Sequence, residues 1–221
     1  MSKIRLILLA LLLLEGVLLP QRLVAEVPQS QFETYSTLNG LTDNRISDIY
    51  TDSAGFVWIC TWYGVSRFDG YSFKNYSTYP GDFSPLTHNR FLSVSEDSLS
   101  HLWFTTYNHH IYRFNRFSEQ FEDPMALLEG VDAKHYRAAH TLHDGSGRSY
   151  VVIPSVGVIR FVGEEPGGSL QVEHWWHDQP LLQEISNALV DSSNDLYLST
   201  QSGEVYRIKA SSVELELLGQ T

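Results

Sequence analysis

Cysteine is almost missing from this chain. Of 221 residues only Cys60 carries a thiol. No disulfide can close within the chain, and no cysteine-based zinc site can be built. Cys60 lies in the apolar run Phe56–Thr61, where it reads as a small buried hydrophobe rather than a nucleophile. Basic residues are also few: 15 Lys and Arg stand against 26 Asp and Glu, a net charge of −11. Nucleic acid and anionic lipid are bound by clustered Lys and Arg, so neither is expected as a partner. Helical periodicity is missing too, apart from a short stretch at Pro124–Glu129. No apolar run is long enough for a membrane span, which takes about 20 residues. The longest, Leu6–Leu14, has nine and is broken by Glu15. With Lys3 and Arg5 ahead of it, it reads as the core of a secretory signal peptide over 1–25. Cleavage after Ala25 fits, although Leu23 is large for its place before the cut. An uncleaved N-terminal anchor is the alternative. The mature chain is expected outside the cytoplasm, in a periplasm, with no membrane contact of its own.

Aromatics are plentiful: five Trp, twelve Tyr and eleven Phe, with fifteen Gly, in a chain that is 43% hydrophobic. That composition suits strands and tight turns around a packed core. The chain also repeats itself. Asp52-Ser-Ala-Gly55-Phe-Val-Trp58-Ile-Cys-Thr61 aligns with Asp97–Thr106, Asp144–Ile153 and Asp191–Thr200. The central aromatic falls at 58, 103, 150 and 197, in steps of 45, 47 and 47 residues. Each copy continues to an Arg and an apolar residue: Arg67-Phe68, Arg113-Phe114, Arg160-Phe161 and Arg207-Ile208. Upstream, Leu41-Thr-Asp-Asn44-Arg45-Ile46 matches Leu86-Thr-His-Asn89-Arg90-Phe91. In the first copy four β-runs follow one another: Ile46–Thr51, Phe56–Thr61, Val65–Phe68 and Ser72–Ser77. Four antiparallel strands in about 45 residues mark a β-propeller blade. The expected fold is all-β, with blades near 41–79, 86–122, 135–176 and 185–218. Residues 31–36 read as the outer strand of a closing blade, and the four blades as part of a larger, seven-bladed type of ring.

The first copy resembles the two-component regulator propeller repeat. Asn44, Ile46, Ile49, Asp52, Gly55, Trp58, Ile59, Thr61, Gly64, Arg67 and Phe68 carry the likeness. The second copy is close, and the third and fourth are degenerate, with Tyr150 and Tyr197 in place of Trp. The resemblance implies the periplasmic sensor of a longer inner-membrane signalling protein, of which this chain would be the N-terminal portion. Its expected neighbours are a second propeller or downstream sensor domains. A histidine kinase or diguanylate cyclase would lie beyond them, and this chain has no kinase, cyclase or helix-turn-helix motif of its own. The stretch Leu102–Phe114 also resembles a blade of the streptogramin B lyases, which use His and a metal ion. A third reading is a structural propeller whose blades pair with another chain.

Positions shared by all copies are scaffold, so the repeat aromatics and Asp52, Asp97, Asp144 and Asp191 are expected in cores and turns. Sites belong where copies differ, in the loops between second and third strands and between blades. These loops hold Trp62-Tyr63, Tyr107-Asn-His109-His110, Ser155-Val156 and Gln201-Ser202. With them go Asn44-Arg45, His88-Asn89-Arg90, His135-Tyr136-Arg137 and Gln183-Glu184. The candidate ligand-binding residues are Arg45, Trp62, Tyr63, Asn89, Arg90, Tyr107, His109 and His110. Aromatic faces beside neutral polar groups suit sugar rings, and Arg suits a carboxylate or sulfate. A non-catalytic sensor of a small molecule or oligosaccharide is therefore expected. No catalytic residue, metal site or cofactor is expected. His140 and His143 are three apart on a strand and face opposite ways, and His174 and His177 flank Trp175-Trp176 near an outer strand.

Overall fold

The computed structural model describes residues 32–81, 84–128, 137–138, 140–154, 156–163, 168–177, 179, 182 and 184–220. The signal peptide read over 1–25 lies outside them, as do His135, Tyr136, Ser155 and Gln183.

Among the described residues sixteen strands form four antiparallel sheets, all within Tyr35–Thr221. Blade one holds β1 (Ile46–Thr51), β2 (Val57–Thr61), β3 (Gly64–Phe68) and β4 (Phe73–Tyr76). Blade two holds β5 (Phe91–Glu96), β6 (Leu102–Thr106), β7 (Ile111–Asn115) and β8 (Gln120–Glu122). Blade three holds β9 (His140–His143), β10 (Arg148–Ile153), β11 (Gly157–Gly163) and β12 (Leu170–His177). Blade four holds β13 (Ile185–Val190), β14 (Leu196–Thr200), β15 (Glu204–Ile208) and β16 (Leu215–Gln220). Each sheet is a meander in chain order. The expected propeller blades are present. The helical stretch at 124–129 is a single 3-10 turn, Pro124–Leu127, capped by Asp123.

The repeat turn explains why each copy folds as a hairpin. Asp52, Asp97, Asp144 and Asp191 each accept backbone N–H groups two and four residues on, at 2.8–3.0 Å. The fourth turn residue is left-handed in every copy: Gly55 (φ 88°), Ser100 (66°), Gly147 (89°) and Asn194 (67°). Glycine and asparagine adopt that region readily, whereas Ser100 is strained there. The second carboxylate oxygen of Asp52 accepts the Trp58 indole N–H at 2.6 Å, and that of Asp97 the Trp103 N–H at 2.8 Å. The aspartate therefore ties the hairpin turn to the blade core.

Three cores lie between consecutive blades. Trp58, Phe91, Phe104, Phe114 and Phe121 fill the first, with Trp58 at 5.0 Å from Phe114 between ring centroids. Trp103, Val151, Ile159 and Phe161 build the second, and Tyr150, Val158, Trp176, Leu196 and Ile208 the third. Trp58, Trp103 and Tyr150 are thus scaffold, whereas Tyr197 is half-buried and lies in none of the three cores. Three of the repeat arginines link blades, whereas Arg207 pairs with Glu216 in its own blade. Arg67 pairs with Glu119 in blade two, Arg113 donates to the Gly168 carbonyl in blade three, and Arg160 to the Ser212 carbonyl in blade four.

Residues 32–36 form no strand. Each of the four sheets has its own fourth strand, and the segment read as the outer strand of a closing blade pairs with none of them. Tyr35 instead packs its ring on Phe68 and Phe73, 4.9 and 5.6 Å away.

Candidate ligand-binding rim

One backbone contact recurs where the first strands of blades one, two and four begin. The Trp62 N–H donates to the Arg45 carbonyl at 3.1 Å, the Tyr107 N–H to Arg90 at 2.8 Å, and the Gln201 N–H to Glu184 at 2.8 Å. It pins the loop between second and third strands to the residue entering the first strand. A β-bulge follows directly, between Ile46 and Asp48 in β1 and between Phe91 and Ser93 in β5. Bulges re-aim side chains at sheet ends. Gly64 closes the first loop with φ 131°, and a Cβ there would lie 2.5 Å from the Tyr76 carbonyl oxygen. Glycine is required at that approach.

This geometry brings four of the sequence candidates into one column. The Arg45 guanidinium carbon lies 4.5 Å from the Trp62 ring centroid. That of Arg90 lies 3.6 Å from Trp62 and 3.7 Å from Tyr107. Cation and aromatic alternate: Arg45, Trp62, Arg90, Tyr107. Such contacts hold rings and cations in place with energies of about 0.5–2 kcal/mol each. Trp62 is 38% exposed and Tyr107 52%, so both still offer ring surface to solvent. Tyr63, in the same loop as Trp62, is exposed as well.

Asp43 fixes the first rung. It accepts from Arg45 Nε at 3.1 Å and Nη2 at 2.9 Å, and from the Arg45 backbone N–H at 2.7 Å. Those bonds hold the Asp43 carboxyl below its usual range and raise the Arg45 guanidinium further. Asp43 was not among the sequence candidates. The signal was there in the repeat: blade one has Asp43 where blade two has His88.

The other candidates are placed differently. The Asn89 amide is engaged twice by Thr78, accepting its N–H and donating to its carbonyl, both at 2.7 Å. It anchors the incoming chain to the blade. His110 Nε2 lies 3.1 Å from an Asp123 carboxylate oxygen, and its ring packs 4.8 Å from that of Tyr112. His109 is exposed at a left-handed turn position, φ 61°, and its carbonyl accepts the Ala138 N–H at 3.0 Å. Among the described residues no three His, Cys, Asp or Glu side chains converge on a common point. No helix among them is long and apolar enough to cross a membrane.

Comparison with known proteins places this scaffold. Residues 40–63 match the family model described as two component regulator propeller. A 56-residue segment, 25% of this chain, is 32% identical to histidine kinase P4 of Formosa agariphila and covers 4% of that protein. The extracellular domain of a hybrid two-component system from B. thetaiotaomicron is similar over 85% of this chain and 26% of its own. Its TM-score is 0.56 and its identity 16%. Virginiamycin B lyase from Staphylococcus aureus is similar over 78% of this chain and 55% of its own, with TM-score 0.53 and 13% identity. At those identities the two structures share the fold with this chain. The chain spans a small part of the kinase and of the extracellular domain, and about half of the lyase. One copy of the repeat, residues 40–63, which includes Arg45, Trp58 and Trp62, matches the two component regulator propeller model.

Proposed function

We propose that the chain is the ligand-sensing, extracytoplasmic propeller of a two-component-type signalling protein, and that its rim binds an oligosaccharide without catalysing a reaction. The observation that carries this reading is the column Arg45–Trp62–Arg90–Tyr107 on one end of blades one and two. The Tyr107 face turned away from Arg90 can stack on the CH groups of a sugar ring beside the exposed edge of Trp62, and guanidinium N–H groups can donate to its oxygens. Stacking also makes these side chains rigid before the ligand arrives, which lowers the entropy lost on binding. The matched family supports a role in signal transduction, and the bound state would pass onward through contacts with neighbouring domains. The lyase reading rests on fold likeness at 13% identity.

The test is a glycan array followed by titration of a bound oligosaccharide into Trp62→Ala and Tyr107→Ala. Each variant is expected to bind at least about tenfold more weakly, a loss of about 1.4 kcal/mol, with an unchanged circular dichroism spectrum. Full affinity in both variants refutes the rim.

A further inference from the structure

Two arginines occupy the same setting at the rim, and only one is neutralised. The segments Leu41-Thr-Asp43-Asn44-Arg45 and Leu86-Thr-His88-Asn89-Arg90 are equivalent in the repeat. In the first, Asp43 accepts the Arg45 backbone N–H and two N–H groups of its guanidinium edge. In the second, His88 Nδ1 accepts the Arg90 backbone N–H at 3.2 Å. The turn is kept, but the carboxylate is replaced by an imidazole. Arg90 forms no ion pair among the described residues, and its Nε is buried without an acceptor there. The Trp62 and Tyr107 centroids lie 3.6 and 3.7 Å from its guanidinium carbon. Two rings that close cannot share one face, so the planar edge is what remains for a partner.

A guanidinium edge in that state matches a carboxylate, whose two oxygens accept parallel N–H groups. Asp43 on Arg45 is a carboxylate–guanidinium contact of this kind made within the chain, there on the Nε side, whereas on Arg90 a ligand would meet the Nη groups, since Nε is buried. We propose that Arg90 anchors the carboxylate of a uronate residue in the oligosaccharide, with Trp62 and Tyr107 flanking the sugar that carries it. This rests on the carbohydrate reading above and specifies its chemistry. The net charge of −11 repels acidic glycans in general, so attraction has to come from this local cation.

Isothermal titration tests the assignment. The full chain is titrated with trigalacturonate, with galactotriose, and with a panel of glucuronate, mannuronate and guluronate oligomers and their neutral counterparts. At least one uronate oligomer is expected to bind at least about tenfold more tightly than its neutral counterpart. His88→Asp is expected to place a carboxylate on the Arg90 edge, as Asp43 does on Arg45, and to remove that preference. Arg90→Lys keeps the charge without the planar fork, and should lower uronate affinity more than affinity for the neutral counterpart. Equal binding of acidic and neutral members, or full uronate preference in His88→Asp, overturns the uronate anchor and leaves the carbohydrate reading standing. Preference for a sulfated neutral oligomer over every uronate overturns it as well. Binding of neither class overturns both readings.

Discussion

Lowering the pH should loosen the junction between blades two and three through one side chain, His143. Its ring lies between two serine hydroxyls, Ser95 Oγ 2.9 Å from Nε2 and Ser149 Oγ 2.8 Å from Nδ1, with Trp103 5.6 Å away between centroids. Burial among these groups lowers its pKa from 6.5 to about 4, against the opposing pull of Asp97 and Asp144. The unfolded chain takes up the proton near pH 6.5, whereas the folded chain resists until about 4. The unfolded state therefore binds more protons in that window, and stability falls as the pH drops through it. One pKa unit is about 1.4 kcal/mol, so the full effect is about 3 kcal/mol, and about 2 kcal/mol is lost between about pH 7.5 and pH 5. Other carboxylates also respond to pH, so the measurement must isolate this residue. Urea unfolding followed by tryptophan fluorescence at both pH values, for wild type and His143→Gln, does so. The variant is less stable near neutrality because two serine contacts change, yet its loss on acidification should be smaller than that of wild type by about 2 kcal/mol. Equal losses in the two proteins would refute the buried neutral imidazole.

Two further predictions concern the scaffold. Arg113 is fully buried, pairs with Glu122 at 2.6 Å and donates to the Gly168 carbonyl at 2.9 Å. Arg113→Ala should destabilise the chain by about 3 kcal/mol in urea unfolding. The equivalent Arg207→Ala, whose pair with Glu216 is exposed, should change little. Ser100→Gly relieves a left-handed serine at φ 66° and should raise stability by about 0.5–1 kcal/mol, seen as a higher thermal midpoint; a lower midpoint would show that the Ser100–Ser53 hydroxyl contact at 3.3 Å matters more than the strain.

The blades were legible because the repeat states its own physics four times over. Asp52 and its equivalents are spaced to accept turn N–H groups, and a residue free to adopt positive φ follows three places later, except at Ser100. Trp58, Trp103 and Tyr150 fall on the second strand, where alternation turns them into the cores between blades. What the sequence could not state is pairing across blades. Arg90 is 28 residues from Trp62 and 17 from Tyr107, and nothing in either spacing announces that its guanidinium lies against both rings. Asn89 and His110 show the converse. Their residue types suit a ligand site, but Thr78 and Asp123 engage them, and those partners come from segments that no short pattern connects to the loop.

The same comparison shows where a repeat protein can carry chemistry. A position shared by every blade holds the blades together, so a change there disturbs the scaffold. Asp43 and His88 occupy equivalent positions in blades one and two, and each accepts the backbone N–H two residues on, so the structural duty survives the exchange. The carboxylate does not survive it. In blade one Arg45 is closed off by Asp43, whereas in blade two Arg90 keeps its charge at the edge of two aromatic faces. On the proposal made above, the ligand site of blade two would arise by loss of the carboxylate that closes off the equivalent arginine in blade one. His88→Asp reverses that step without touching the rings, which makes it a more selective test of the rim than removing Trp62 or Tyr107.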